Sequence, residues 1–210
     1  MKIVMVGPSG VGKTTLAKDL AEKLSILFVS GSYSDLVPET KETKHKDMIL
    51  ADPRVIYIQD YELFVKRDQI FKEAGDNFIS DRSFIDSIAY HLQKLSHQVD
   101  VNVSISFINE LKKSIEENTT HIIYIPYTVS MIGNFEIEDN SKRILNPYYQ
   151  VQISSLMTTT LTQILGFKFK EFKEDQCSFI SYNNDKIKVL ILLTSNYEER
   201  LKLALEFLSL

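Results

Sequence analysis

Ile3-Val4-Met5-Val6-Gly7-Pro8-Ser9-Gly10-Val11-Gly12-Lys13-Thr14-Thr15-Leu16 decides the fold of this chain. The four apolar residues before Gly7 read as a strand buried on both faces, as in a parallel sheet. Beyond Lys13, Leu16, Leu20 and Leu24 recur every four residues with Ala17 and Ala21 beside them, which is one stripe of an amphipathic helix. Between strand and helix lies Gly-x-x-x-x-Gly-Lys-Thr, the phosphate-loop pattern in full. Such a loop curls so that successive backbone N–H groups converge on one anion, and the helix that follows adds its N-terminal dipole. Gly7, Ser9, Gly10, Val11, Gly12, Lys13, Thr14 and Thr15 are therefore the expected contacts of a nucleoside triphosphate such as ATP. Lys13 would reach the β- and γ-phosphates, and the Thr14 hydroxyl would ligate Mg²⁺.

Working outward, strands and helices alternate. Strands are expected at 26–29, 78–80, 122–125 and around the apolar run Val189 to Leu193. Helices are expected at 54–74 and on the stripes Ile85 to Leu95 and Ile108 to Ile115. A long helix is expected from Pro147 to Leu165, and a final one carries Leu201, Ala204, Leu205 and Leu208. That order implies an α/β fold: a three-layer phosphate-loop domain with a mostly parallel, five-stranded sheet flanked by helices. The segment 167–185 alternates charged and aromatic residues and receives no element. Ligands of such sheets sit at the carboxyl ends of the strands. The polar stretches 32–53 and 128–146 both follow strands and would lie at that edge.

The chain has 210 residues, with 44% hydrophobic, 25% charged and a formal charge of −4. That suits one globular domain spanning 1–210. No Lys/Arg block stands out, which argues against a protein that grips long nucleic acid. No apolar run approaches the roughly 18 residues of a membrane span, and the N-terminus carries no leader pattern. The lone Cys177 fits a cytoplasmic setting. His45, His91, His97 and His121 show no metal-ligand spacing.

A phosphate loop needs a carboxylate at a neighbouring strand end to help hold Mg²⁺. Phe78-Ile79-Ser80-Asp81-Arg82-Ser83 offers one. Asp81 would serve the metal, and Arg82 would neutralise charge that develops during transfer; the plainer alternatives are a helix N-cap and a surface charge. The loop together with Ser80-Asp81-Arg82-Ser83-Phe84-Ile85-Asp86 resembles the Asp/Glu-Arg-Ser motif of deoxynucleoside and thymidylate kinases. It is also similar to phage and bacterial kinases related to the nicotinamide riboside kinase domain, a group labelled AAA-type. That resemblance implies Mg²⁺ for Asp81, phosphates or an acceptor hydroxyl for Arg82, and adenine contacts for Thr194-Ser195-Asn196. The loop alone also resembles guanylate kinase, but no arginine follows the second strand before Arg54.

A kinase must exclude water, so residues 128–147 are expected to act as a lid, with Arg143 and, less strongly, Lys142 closing on phosphates. The acceptor pocket is expected at about 32–75. Tyr33 would stack on a base or sugar and Asp35 or Glu39 would take a proton, while Arg54 and Arg67 would hold an acceptor phosphate. Phe64 and Phe71 read as core. The expected partner is a small nucleotide or nucleoside, and a homodimer stays open. The expected reaction is ATP- and Mg²⁺-dependent phosphoryl transfer to a (deoxy)nucleoside monophosphate. The alternatives are a nucleoside kinase acting on an uncharged hydroxyl and, in another class, an ATP-dependent remodelling module or nucleotide switch. The Asn-Lys-x-Asp segment of a GTPase is absent.

Overall fold

The computed structural model describes residues 1–31, 36, 52–95, 99–127, 146–168, 178–184 and 186–209. Along the chain run β1 (Lys2–Val6), α1 (Lys13–Leu24), β2 (Leu27–Val29), α2 (Pro53–Ala74), β3 (Phe78–Ser80), α3 (Phe84–Leu95) and α4 (Val101–Asn118). Then come β4 (His121–Tyr124), α5 (Pro147–Thr159), β5 (Ser178–Asn184), β6 (Ile187–Leu192) and α6 (Tyr197–Leu208). The strands form one sheet in the order β2-β3-β1-β4-β6-β5. The five expected strands make its parallel part, with Ile3 opposite both Ile79 and His121. A sixth strand, β5, pairs antiparallel with β6 at the edge. Its sequence, Ser-Phe-Ile-Ser-Tyr-Asn-Asn, holds three strand formers but no regular alternation and ends on two asparagines, and it pairs with the apolar β6.

Side chains of the central strands point alternately to two cores. Val4, Val6, Ile122, Tyr124, Val189 and Ile191 join one core with α2 to α5. Ile3, Met5, Ile123, Ile125, Leu190 and Leu192 join the other with α1 and α6. This is the three-layer arrangement expected from the continuous apolar strands. A register slip of one residue would exchange the two sets, so the cores fix where each strand ends. Those ends carry the site.

One expected element differs from the sequence reading, the helix from Pro147, while α2 keeps its expected bounds. α2 is one continuous helix: the Asp52 side chain accepts from Arg54 N–H at 2.8 Å, Pro53 occupies the first turn, and Gly75 at φ 74° ends it. The helix from Pro147 does not run unbroken to Leu165. It passes at Thr160 into a π-helical turn, Thr160–Ile164. Here Thr158, Thr160 and Thr162 return their hydroxyls to the carbonyls of Ser154, Leu156 and Thr158 at 3.1, 2.8 and 2.9 Å. Such bonds loosen a regular ladder. Phe64 and Phe71 are core residues, as expected, with 7% and 1% exposure.

Candidate functional site

The phosphate loop links β1 to α1 at the carboxyl edge. Gly12 precedes the helix at φ 89°, a left-handed conformation that side chains disfavour. Lys13 is buried and arches back over its own loop. Its Nζ donates to the Pro8 carbonyl at 2.6 Å and to the Gly7 carbonyl. The lysine head thus sits against the carbonyls of its own loop. Thr14 and Thr15 are exposed in the first turn of α1.

Asp81 stands directly after β3, next to β1 in the sheet. Its Oδ2 accepts the Thr14 hydroxyl at 2.6 Å, and its Oδ1 accepts the Gly31 N–H at 3.0 Å. Asp81 is not the cap of α3; Ser83 is. Ser83 Oγ accepts from the N–H groups of Ile85 and Asp86 at 3.1 and 3.3 Å, while Asp86 Oδ2 accepts the N–H and O–H of Ser83, both at 2.8 Å. This capping box leaves Asp81 available to the loop.

Gly31, at the end of β2, is a residue the sequence reading passed over. A Cβ there would come within 2.6 Å of Arg82 Cβ, so only glycine fits. Its peptide is held from both sides: the N–H by Asp81 and the carbonyl by Arg67 Nη2 at 2.7 Å. Arg67 Nη1 also donates to the Ser83 carbonyl at 3.0 Å and to Ser87 Oγ at 2.7 Å. Burial pushes the Arg67 pKa down to about 10, with Asp86 opposing the fall, so the residue stays charged at neutral pH.

Arg82 lies 3.9 Å from Asp86 Oδ1. Burial works against its charge, but Asp86, Tyr90 and Asp81 together outweigh burial and hold its pKa above the ordinary value. Tyr90 is the second residue missed from sequence. Burial raises its pKa, and its hydroxyl shares hydrogen bonds with Ser9 of the phosphate loop and with Arg82. Arg82, Asp86 and Tyr90 recur every four residues, a helical polar stripe that was visible in the sequence.

The AAA domain family matches residues 2–174. The chain belongs to this family. A cytidylate kinase of Mycoplasmopsis pulmonis (strain UAB CTIP) is 26% identical to it over 110 residues, 49% of each chain. The chain thus spans about half the length of the curated relative it matches. Among solved structures, deoxyadenosine kinase from M. mycoides with bound dATP superposes with a TM-score of 0.65 over 100% of both chains, at 15% identity. NadR protein in complex with NAD and AMP-PNP superposes with a TM-score of 0.57, covering 100% of this chain and 50% of that one, at 16% identity. These likenesses show a P-loop nucleotide/nucleoside kinase-like fold.

Within this fold the structure brings together Lys13, Thr14, Asp81 and Arg82, with Gly31, Arg67, Asp86 and Tyr90 behind them. Arg54 is not among them. It is exposed in the first turn of α2, thirteen residues before Arg67, or about 20 Å along the helix axis. Tyr33, Asp35, Glu39, Lys142, Arg143, His45, His97 and Cys177 lie outside the described residues. Of the other histidines, His91 packs against Phe107 and meets Ser104 Oγ at 3.2 Å, and His121 meets Thr120 Oγ1 at 2.9 Å. Among the described residues no group of three His, Cys, Asp or Glu could cage a metal, and no helix is long and apolar enough to cross a membrane. The paired oxygens of Thr14 and Asp81 fit Mg²⁺ all the same, because that ion takes one or two protein oxygens and keeps waters and substrate phosphates for the rest.

Proposed function

We propose that the chain transfers the γ-phosphoryl group of Mg²⁺-bound ATP to the hydroxyl of a nucleoside-type acceptor. The observation that carries this reading is the 2.6 Å hydrogen bond between Thr14 Oγ1 and Asp81 Oδ2, which joins the phosphate loop to an acidic strand end with Arg82 beside it. Mg²⁺ held by Thr14 and Asp81 would neutralise charge on the β- and γ-phosphates. Lys13 leaves its loop carbonyls for the same phosphates. The acceptor oxygen attacks the γ-phosphorus in line as the bond to the β-phosphate oxygen breaks and ADP departs. Arg82 bridges the transferring group and the acceptor and stabilises the equatorial oxygens. The proton of the acceptor hydroxyl passes to a carboxylate of the 32–51 segment, Asp35 or Glu39, or to water.

An uncharged acceptor fits the arginines better than a monophosphate does. Arg67 spends its guanidinium on Gly31, Ser83 and Ser87, and Arg54 is remote. The second reading, a nucleoside monophosphate acceptor, is favoured by the likeness to the cytidylate kinase. A coupled ADP-release assay against a panel of nucleosides and monophosphates decides between them. Release that needs a nucleoside and falls at least 10²-fold in Lys13→Ala and Asp81→Ala is the expected result. Full activity in Lys13→Ala, or no release with any acceptor, overturns the reading.

A further inference from the structure

The donor pocket has two sides in this sheet. Gly31, Asp81 and Arg82 occupy the ends of β2 and β3, on one side of β1. The resemblance to nucleoside and nucleotide kinases implies that the donor base lies on the other side, against the turn that leaves β6, Leu193 to Asn196. It is a built turn: Thr194 Oγ1 donates to Glu199 Oε2 at 2.6 Å and accepts from Asn196 N–H at 3.1 Å, and Asn196 Oδ1 caps α6 through Glu199 N–H at 3.0 Å.

Arg200, in the first turns of α6, connects that turn to the phosphate loop. It is 3% exposed. Its Nε donates to the Thr194 carbonyl at 2.6 Å and its Nη1 to the Val11 carbonyl at 2.7 Å. The same Nη1 lies 3.6 Å from where a Gly12 Cβ would stand. One planar guanidinium thus fixes two backbone segments 183 residues apart in sequence, Val11 and Thr194, and places a buried positive charge just behind the phosphate loop. A lysine could supply the charge but not both bonds in that geometry.

We propose that Arg200 is the positioning residue of the donor site: it clamps the phosphate loop to the β6–α6 turn, so that phosphate and base are gripped as one unit. This rests on the reading of the loop as a triphosphate site. The guanidinium sets donor affinity from both ends and touches neither the acceptor nor the transferred group.

The test measures binding by calorimetry to two probes, the Mg²⁺ complex of a non-hydrolysable ATP analogue and inorganic tripolyphosphate, for wild type, Arg200→Lys and Arg200→Met. Loss of two charge-assisted bonds weakens the analogue at least about tenfold in Arg200→Met. Tripolyphosphate, which has no base to seat, weakens by a clearly smaller factor. Arg200→Lys restores tripolyphosphate binding but not analogue binding. In steady-state assays KM for ATP rises while kcat stays within about twofold. Equal losses for both probes in Arg200→Met would reduce the arginine to a charge behind the loop and overturn the clamp, as would unchanged binding of both. Should Arg200→Met fail to fold by thermal melting, Arg200→Lys still decides through the difference between the two probes. If wild type binds the analogue yet transfers to no acceptor, the kinase reading falls while the binding comparison still judges Arg200.

Discussion

Replacing Arg67 separates a clamp from a substrate ligand. In Arg67→Met the carbonyls of Gly31 and Ser83 and the Ser87 hydroxyl lose their guanidinium partner inside the protein. Each bond from a charged donor contributes roughly 1.5–3 kcal/mol where it is fully exchanged for water, and less here. Methionine is spared the desolvation that drives the Arg67 pKa down to about 10. Asp86 and Asp60, which face this cation, are left without it. The net cost comes to about 3–4 kcal/mol, within the range for breaking a buried charged network. For a chain of this size that is a fall of roughly 10 °C in melting temperature. Gly31 then loses its carbonyl anchor, so its N–H holds Asp81 less firmly, and kcat falls by about 10²-fold through misplacement of the metal oxygens. Arg67→Lys keeps the charge and one or two bonds and recovers part of both losses. Urea unfolding and steady-state kinetics on the three proteins measure this. An Arg67→Met protein that melts like wild type but shows a KM for a phosphorylated acceptor raised more than tenfold would refute the clamp.

Asp81→Asn keeps the hydrogen bond to Gly31 N–H but removes the charge, so the Mg²⁺ concentration for half-maximal activity rises and kcat falls by about 10²–10³-fold; a magnesium titration reads both. Tyr90→Phe removes the hydroxyl shared by Ser9 and Arg82, and kcat falls roughly tenfold with little change in ATP binding, because Arg82 loses one of its supports; an equal loss in ATP affinity would contradict that. His121 sets a pH dependence. Burial, Lys188 and the N-terminal amine push its pKa down from 6.5 to about 4. Its contribution is whole above pH 6.5 and is lost as pH falls toward 4, because only the unfolded chain takes up the proton there. The full span is worth about 3 kcal/mol, and partial solvent contact halves it to roughly 1.5 kcal/mol. In His121→Asn the stability difference between pH 6.5 and 4.5 shrinks by about that amount in urea titrations.

The parts of the fold legible from sequence are those in which a local pattern and the tertiary environment agree. Ile3 to Val6, Ile122 to Ile125 and Val189 to Leu192 are apolar without interruption because both faces of those strands are covered. β5 escaped because its sequence has no regular alternation and ends on two asparagines. The π-helical turn escaped because threonine hydroxyls, not hydrophobic spacing, decide it. In the candidate site, the neighbourhood of Thr14 and Asp81 was legible because two short motifs at adjacent strand ends mark it. Gly31 and Arg200 were not, since each acts through groups far away in the chain, whereas the spacing of Tyr90 from Arg82 and Asp86 was there to be read. The Ser83-x-x-Asp86 box was readable as a helix start and would have freed Asp81 from the role of cap at once.

The arginines carry the sharpest lesson about the acceptor. Sequence position made Arg54 and Arg67 look alike: two cations in the segment that should wrap the acceptor. The helix that holds them separates them by about 20 Å along its axis, too far for both to meet one phosphate. Burial then separates them further. Arg54 is exposed to solvent, whereas Arg67 is spent on the backbone that shapes Asp81. A monophosphate acceptor brings two negative charges next to a donor that already carries its own, and such sites need several cations to bring the phosphates together. Among the described residues, Arg82 is the arginine that follows Asp81, and it already answers to Asp86, Asp81 and Tyr90. One such cation suits a neutral hydroxyl. A monophosphate would have to draw its remaining positive charge from Lys142, Arg143 or the lysines of 41–46. Charge-neutral substitution there, Lys142→Met with Arg143→Met, therefore discriminates: a nucleoside acceptor keeps its KM within about threefold, and a monophosphate acceptor loses at least tenfold.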